Sequence, residues 1–394
     1  MKILMLNHEF PPVGGGASPV TFELSKQLVQ MGHRVDVVTM RYRDLPRFET
    51  VDGVNIYRTP AIRKRPNICY THELATYVPG ALIKTIRLAR REKYDIIHCH
   101  FIVPSGPLAW LVSKCTHIPF IITCHGTDVP EHNPDRFATV HKLITPAWRS
   151  LARRCPLLTS PSTTLREKIL KNCPNAKVKV IPNGIDADQF KPVDKNKSIL
   201  MCSRIFQFKG FQYAIEAIKD MELDWQVNVI GQGPYLAELK RLAQDSKTPI
   251  KFWGWLDKSR PDFYELFKKS AVFIFPSEAE NFPAVLLEAM SSGMAIITST
   301  AGGCPEVVGK AGLLVEPRDT EGIRKMLLKL IESAELRRQL GEAALERAQQ
   351  QFNWKKIAQQ YLNCYNEVLN STCREPLFEP EPQSRRPGRA TIST

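Results

Sequence analysis

Two glutamates in the second half of the chain are the residues whose type and spacing best suit the binding of a ligand. Glu280 and Glu288 are separated by seven residues in the segment PSEAENFPAVLLEAM, with Glu280 in a loop and Glu288 on a helix that begins at Pro283. Helical rise puts positions eight apart at about 12 Å. Retaining glycosidases hold their nucleophile and acid only about 5–5.5 Å apart. The pair therefore fits contacts with two ends of a polyhydroxylated ligand, although Glu288 could also be a solvated helix carboxylate.

Two cations, Arg204 and Lys209, bracket a loop that follows a predicted strand and leads into a helix. Arg can bind phosphate oxygens in a bidentate manner, and Lys acts as a point charge. The alternative is a pair of solvated surface charges. The position of the loop at a strand end favours phosphate binding.

A histidine and several glycine-rich loops also follow predicted strands. His125 begins the sequence HGTD, where Asp128 either caps the loop locally or orients a ligand. Gly14–Gly16 precedes a helix, so the backbone can approach a ligand closely and the free N–H groups of the helix can face an anion. A dinucleotide fingerprint is a poor match, because its third glycine would fall on Pro19. Gly231 (GQGP) and the GGCPE loop at 302–306 are weaker signals.

Alternating strands and helices must position these loops. Predicted strands lie at 2–6, 34–39, 96–99, 120–124, 157–161, 178–181, 199–202, 226–230, 250–253, 272–275, 295–298 and 313–315. Helical patterns occupy 18–31, 211–221, 235–244, 283–292, 320–332, 335–350 and 353–369. This βαβ rhythm predicts an α/β protein with two parallel sheets, separated by a polar linker at 191–197. Ligands bind such sheets beyond the carboxyl ends of the strands, where loops of both domains meet.

The composition excludes several other classes of protein. The 394 residues carry a hydrophobic fraction of 43%, which is ordinary for a globular chain of two to three domains. No uncharged apolar run reaches the roughly 18 residues of a membrane span, and the start is too polar for a secretory leader. Ten scattered cysteines without a CxxC pair indicate reduced thiols. We therefore expect a cytoplasmic protein whose proline-rich tail, 371–394, is disordered.

The net charge of +14 is unevenly distributed. Residues 1–190 hold 26 basic and 15 acidic side chains, whereas residues 191–394 hold 28 and 25. The excess is concentrated at Arg63–Arg65 and in Gly80–Lys93, where Leu82, Ile83 and Ile86 recur at helical spacing with Lys84, Arg87 and Arg91 on another side. This pattern is that of a basic amphipathic helix at an anionic membrane face or of a core-facing helix with a solvated back.

Together these motifs resemble the retaining glycosyltransferases of family 4, which have the GT-B fold of two Rossmann-like parallel-sheet domains facing across a cleft. The resemblance covers about residues 1–370 and rests on the following segments: Gly14–Gly16, HGTD at 125–128, PNGID at 182–186, SR…KG at 203–210, GQGP at 231–234, the two glutamates, GGCPE at 302–306 and FNW at 352–354. It implies an acceptor-binding domain at 1–190 and a donor-binding domain at 191–370, with the last helix packed back on the first domain. Two departures are Asn281, where many members have Gly, and Ser203 before the Arg.

The resemblance also implies a role for each matching residue. Arg204 and Lys209 would hold the donor diphosphate, Glu288 the ribose, and Glu280 the transferred sugar. His125 would lie near that sugar as a further catalytic residue. The remaining donor contacts would come from Gly15, Gly16, Gly231, Asn281, Phe282 and Pro283, and the acceptor contacts from Gly14 and Asp128.

The implied activity is transfer of a sugar from a nucleotide sugar to a glycan or lipid-linked acceptor with retention of configuration, in cell-surface polysaccharide or glycolipid synthesis. We expect no cofactor and no metal ion, because no DxD-type acidic cluster lies in a matching loop and the two cations can stabilise the leaving diphosphate. A GT-B nucleotide-sugar epimerase is the alternative enzyme. Nucleic-acid binding, suggested by the charge, has no recognisable signature to support it. Contact with the inner face of the cell membrane is the further expectation from the basic half.

Overall fold

The computed structural model describes residues 1–66, 69–130 and 134–372, with the side chains of 134–143 and of 372 left aside. The predicted disordered tail, 371–394, lies outside these residues except for its first two. Ser371 and Thr372 form the end of the last helix, so the helical pattern extends beyond its predicted end at 369.

Eight strands of the first half form one sheet in the order β3-β4-β2-β1-β5-β6-β7-β8. The strands are β1 (Lys2–Leu6), β2 (Arg34–Met40), β3 (Phe48–Val51), β4 (Val54–Thr59), β5 (Ile96–His100), β6 (Phe120–Thr123), β7 (Leu158–Ser160) and β8 (Val178–Val180). The helices are α1 (Ala17–Gln30), α2 (Thr71–Glu92), α3 (Ser105–Thr116), α4 (Pro134–Arg154) and α5 (Thr163–Asn172). Every predicted strand of this half is present within one residue of its predicted ends.

The sheet is parallel except at one edge, where β3 pairs antiparallel with β4. This hairpin is not among the predicted strands. Its turn is Asp52-Gly53, and both residues have positive φ, 50° and 79°. Asp-Gly is a favoured pair for such a turn, so the signal was present in the sequence. Phe48 at this edge is 51% exposed, which explains why the strand lacks the buried apolar run of its neighbours.

Six strands of the second half form an all-parallel sheet in the order β11-β10-β9-β12-β13-β14. The strands are β9 (Asn196–Cys202), β10 (Gln226–Ile230), β11 (Ile250–Gly254), β12 (Ser270–Phe275), β13 (Ala295–Ser299) and β14 (Gly312–Val315). The helices are α6 (Phe211–Ile218), α7 (Leu236–Leu242), α8 (Pro261–Lys269), α9 (Ala284–Ser291), α10 (Cys304–Val308), α11 (Thr320–Glu332), α12 (Ala334–Gln351) and α13 (Trp354–Thr372). The predicted linker is two residues too long, because Asn196 and Lys197 belong to β9.

The final helix α13 packs on the first sheet rather than the second. Ile357, Tyr361 and Tyr365 join the same buried cluster as Ile3 and Leu24. The chain therefore crosses between the two sheets twice. The two crossings lie side by side, since the Ile185 N–H donates to the Phe352 carbonyl at 2.7 Å.

Helix α2 carries the basic stretch of the first half, and its apolar residues do not all lie on one exposed face. Leu82 and Ile86 are partly buried against the core, so they do not form an exposed apolar stripe with Ile83. Ile83 is 52% exposed. Lys84 lies over the ring of Tyr57, with its amine 4.5 Å from the ring centroid. The amphipathic pattern therefore serves mainly to bury the helix on the sheet.

Candidate functional site

The loops that follow β9, β10, β12 and β13 meet backbone to backbone, and glycines allow this contact. A Cβ on Gly231 would overlap the carbonyl oxygen of Ser203, and one on Gly210 would overlap that of Pro276. A Cβ on Gly303 would likewise overlap the carbonyl oxygen of Asn281. Gly231, which the sequence analysis assigned to donor contact, is therefore required first for packing between loops. The result is a continuous surface at the carboxyl ends of the second sheet.

Lys209 and Glu280 form an ion pair at this surface. Their side chains are only 14% and 12% exposed, and the Lys209 amine also lies 5.5 Å from the ring centroid of Phe275. Arg204, in the same loop as Lys209, is exposed and lies against Phe206. The structure thus brings Lys209 and Glu280 into contact, with Arg204 in the same loop as Lys209.

Glu288 is buried on α9 and forms an ion pair with Lys258. Lys258 follows β11 in a loop that the sequence analysis did not assign to the site. Burial lowers the pKa of the Lys258 amine, but the charge and hydrogen bond of Glu288 reverse this and raise it overall. The predicted solvated-helix alternative for Glu288 is wrong, because only 5% of its side chain is exposed.

His125 follows β6 and is held by a second histidine. Its Nε2 lies 3.0 Å from Nδ1 of His100, and their rings stack at 5.3 Å between centroids. Burial lowers the pKa of His125 to about 3 and holds the pKa of His100 well below its usual range, so both imidazoles are neutral at pH 7. His100, at the end of β5, therefore supports the ring of His125.

Asp128 serves the loop itself. Its Oδ1 accepts hydrogen bonds from the N–H groups of His125 (2.9 Å) and Gly126 (3.0 Å), and its Oδ2 accepts one from Ile102 (2.7 Å). Burial raises the pKa of Asp128 to about 6, although these N–H groups lower it. With 5% exposure, the carboxylate fits the local-cap interpretation and not the predicted contact with an acceptor.

The Gly14–Gly16 loop is anchored by Glu9, a residue that the sequence analysis did not single out. Glu9 Oε2 accepts the N–H of Gly15 at 2.8 Å, and Arg63 contacts the other oxygen at 3.5 Å. Gly14 has φ of +122° and packs on Glu9, so it needs to be glycine. The Gly15 N–H is thus already bonded to Glu9. A Cβ on Gly16 would meet open space. Of the two glycines predicted to contact the donor, Gly16 is therefore the more accessible.

Asn281, in the loop that carries Glu280 (the glutamate loop), bonds to the first-domain loop that carries His125. Its Nδ2 donates to the His125 carbonyl at 3.0 Å, and its Oδ1 accepts the hydroxyl of Ser162 at 2.7 Å. The neighbouring Phe282 is buried against Phe352, with ring centroids 5.6 Å apart. Pro283 is the N-terminal cap residue of α9. The departure from the family pattern at 281 is therefore a contact between the domains.

The described residues contain neither a candidate metal site nor a candidate membrane span. Within the described residues, no three His, Cys, Asp or Glu side chains are grouped so that they could hold a metal ion. Among the helices of the described ranges, none combines the length and apolar character of a membrane span.

Comparison with known proteins identifies the class to which this fold and site belong. The pattern of the family described as Glycosyltransferase Family 4 matches residues 14–189, and that of Glycosyl transferases group 1 matches residues 184–347. The N-acetyl-alpha-D-glucosaminyl L-malate synthase of Bacillus anthracis is 29% identical over 391 residues, which covers 91% of this chain and 95% of that protein.

Two solved structures show the same fold. Sucrose-phosphate synthase from Thermosynechococcus elongatus superposes with a TM-score of 0.80 at 21% identity, over 94% of this chain and all of that one. HepE of Anabaena, in complex with UDP-glucose, gives a TM-score of 0.73 at 20% identity, over 94% and 100%. The protein is a GT-B glycosyltransferase. It belongs to the family 4, group 1 glycosyltransferases, as the sequence motifs predict.

Proposed function

We propose that this glycosyltransferase moves a hexosyl group from a nucleoside-diphosphate sugar to a hydroxyl group of a glycan or lipid-linked acceptor, with retention at the anomeric carbon. The observation that carries the proposal is the assembly of the Lys209–Glu280 pair and His125 around Asn281. The UDP-glucose held by HepE, on the same fold, supports a nucleotide sugar as donor. We place the reaction in cell-surface polysaccharide or glycolipid synthesis.

In the proposed complex the donor diphosphate binds Arg204 and Lys209, and Glu288 accepts hydrogen bonds from the ribose hydroxyls. Lys209 then exchanges Glu280 for phosphate, so that Glu280 can accept a hydrogen bond from the transferred sugar. Neutral His125 faces that sugar from the first domain. On donor binding, Glu280 and Glu288 therefore replace their ion pairs with Lys209 and Lys258 by hydrogen bonds from ligand hydroxyl groups.

The proposed reaction breaks the bond between the anomeric carbon and the diphosphate oxygen and forms a bond to the acceptor oxygen on the same face. The leaving phosphate oxygen takes the proton of the acceptor hydroxyl. Negative charge that develops on the diphosphate is stabilised by Arg204 and Lys209, and fixed charges of this kind can supply much of a rate enhancement. We propose no metal ion and no cofactor for this step, so that activity should persist in a chelator.

A thermal-shift screen of UDP-, GDP- and ADP-hexoses tests the donor, because a bound ligand raises stability by mass action. One nucleotide sugar should raise the melting temperature more than its free sugar does. NMR of the product formed with an acceptor should then show the anomeric configuration of the donor. An inverted product contradicts retention, and a new nucleotide sugar formed without acceptor identifies an epimerase.

We also propose that the enzyme is cytoplasmic and contacts the inner face of the cell membrane through the first domain. Ile62, Lys64 and Arg65 are exposed in the loop before α2, and the Ile62 N–H donates to Thr76 Oγ1 at 2.9 Å. At 100° per residue, Ile83 and Arg87 lie within about 20° of Thr76 around the helix. One exposed stripe therefore combines apolar and basic side chains, which suits anionic lipid.

A further inference from the structure

The amino end of α5, in the first domain, is capped by a residue of the second domain. The first N–H groups of a helix have no partner within it. Here the N–H groups of Thr163 and Thr164 donate to the two carboxylate oxygens of Glu306, at 2.6 and 3.0 Å. The Thr164 hydroxyl donates to the same carboxylate at 2.9 Å. A carboxylate suits this position, because the helix dipole is positive there.

The third N–H group of the helix is tied to the second domain as well. The Leu165 N–H donates to Ser162 Oγ at 3.1 Å, and the Ser162 hydroxyl donates to Asn281 Oδ1 at 2.7 Å. Asn281 also binds the carbonyl of His125. All three amides at the start of α5 therefore depend, directly or through one hydroxyl, on two residues of the second domain.

The backbone around both of these residues is hydrogen-bonded within the second domain. Arg347 of α12 donates to the carbonyls of Glu306 and Val307, each at 2.8 Å. The Gly303 N–H donates to the Glu280 carbonyl at 3.3 Å. The loop that carries Asn281 and the helix α10 that carries Glu306 are thus hydrogen-bonded into one unit, and this unit also carries Glu280.

We propose that Asn281 and Glu306 are positioning residues that hold the two domains together at the site and fix Glu280 relative to His125. The proposal rests on the proposed function, in which the transferred sugar lies between those two side chains. The main proposed ligands of the diphosphate and ribose, Arg204, Lys209 and Glu288, belong to the second domain, so most of the donor's binding energy does not depend on the bridge. Transfer does need it, because the acceptor and His125 belong to the first domain. Loss of the bridge should therefore lower kcat and leave the donor KM nearly unchanged.

Hydrogen exchange tests the bridge without any substrate. In Glu306→Ala, the amides of Thr163 and Thr164 should exchange at least about tenfold faster than in the wild-type protein, since they lose charge-assisted bonds. Glu306→Gln keeps one carbonyl oxygen and should show an intermediate rate. Glu332→Ala, an exposed glutamate of α11, is the matched control and should leave both amides unchanged. Wild-type protection in Glu306→Ala would show that the domains do not meet in this way.

Steady-state kinetics then test what the bridge does. Glu306→Ala and Asn281→Ala should each lower kcat by roughly tenfold or more, with the donor KM within about twofold of wild type. Glu306→Gln should recover part of kcat. Wild-type kcat in a variant whose amides exchange fast would overturn the positioning role, and a raised KM at unchanged kcat would assign the residues to donor binding instead. If the wild-type protein transfers no sugar, the proposed function fails while the exchange result still decides the bridge.

Discussion

At the scale of single residues, the two predicted ligand carboxylates are both neutralised by lysines before a donor binds. Glu280 is paired with Lys209 and Glu288 with Lys258. Buried carboxylates need such partners, because desolvation of an unpaired charge is costly. Arg204 differs from the two lysines, since its side chain is exposed at the rim of the site. Substitutions at these positions should therefore separate catalytic effects from effects on folding.

Arg204→Ala should lose about 10²–10³-fold in kcat, the cost typical of removing one group that stabilises transition-state charge. Its free energy of unfolding should change by no more than about 0.5–1 kcal/mol, as expected for a surface position. Transfer kinetics and thermal unfolding of the same sample check both statements. Arg241→Ala, an exposed arginine of α7, is the control and should keep full activity. If Arg204→Ala turns over the donor at the wild-type rate, Arg204 does not bind the diphosphate.

At the scale of elements, the site depends on loops that pack against each other through their backbones. Gly302 and Gly303 lie against the backbone of Glu280 and Asn281, and the Tyr235 N–H reaches the Ile205 carbonyl at 3.3 Å. A parallel sheet brings the ends of its strands to one edge, but only small residues let four loops meet there so closely. The loops therefore pack as one unit.

Gly303→Ala should displace the glutamate loop, because the new Cβ would overlap the Asn281 carbonyl oxygen. The φ of Gly303 is −85°, so alanine is permitted there and the effect is purely steric. We expect a loss of about 1–3 kcal/mol in the free energy of unfolding, as for other overpacked sites, and a smaller thermal shift with the donor. Gly80→Ala, within α2, is the control and should be neutral or slightly stabilising. Equal stability of the two variants would contradict this view of the loops.

At the scale of the whole molecule, the basic excess lies on the first domain, and the second domain is nearly balanced. The proposed donor ligands Arg204 and Lys209 belong to the balanced half, so the excess does not serve the donor. Helix α2 places Ile83 and Arg87 on an exposed stripe beside the loop with Ile62. This surface is the one proposed to meet an anionic membrane.

Vesicles that contain anionic lipid should sediment the wild-type protein at low salt and release it at high salt. The triple variant Lys64→Glu, Arg65→Glu, Arg87→Glu should bind such vesicles at least about 100-fold more weakly, at roughly 1 kcal/mol for each basic residue near the surface. Neutral vesicles should bind neither protein.

A second triple variant controls for net charge alone. Lys240→Glu, Lys310→Glu and Lys329→Glu make the same change of charge on exposed residues of the second domain. This variant should sediment like the wild-type protein. If both triple variants lose vesicle binding equally, or if binding does not depend on lipid charge, the basic excess serves solubility and not membrane binding.

Much of the fold could be predicted from local patterns. Buried strands such as Lys2–Leu6 and Gln226–Ile230 were predicted to the residue, because a parallel strand covered on both faces is a continuous apolar run. The edge hairpin at Phe48–Thr59 was missed, because its first strand is exposed and lacks that run. Its Asp52-Gly53 turn was the signal that could have revealed it.

The sequence by itself determined which residues could carry the chemistry, because residue type and position after a strand are local properties. Arg204, Lys209, Glu280, Glu288 and His125 were all assigned in this way. Their partners were decided only by the tertiary structure. Lys258 lies 30 residues from Glu288, and Glu306 lies more than 140 residues from the helix that it caps. The first contact depends on how a loop and a helix at the edge of one sheet meet, and the second depends on how the two sheets face each other. No periodicity within one segment records either arrangement.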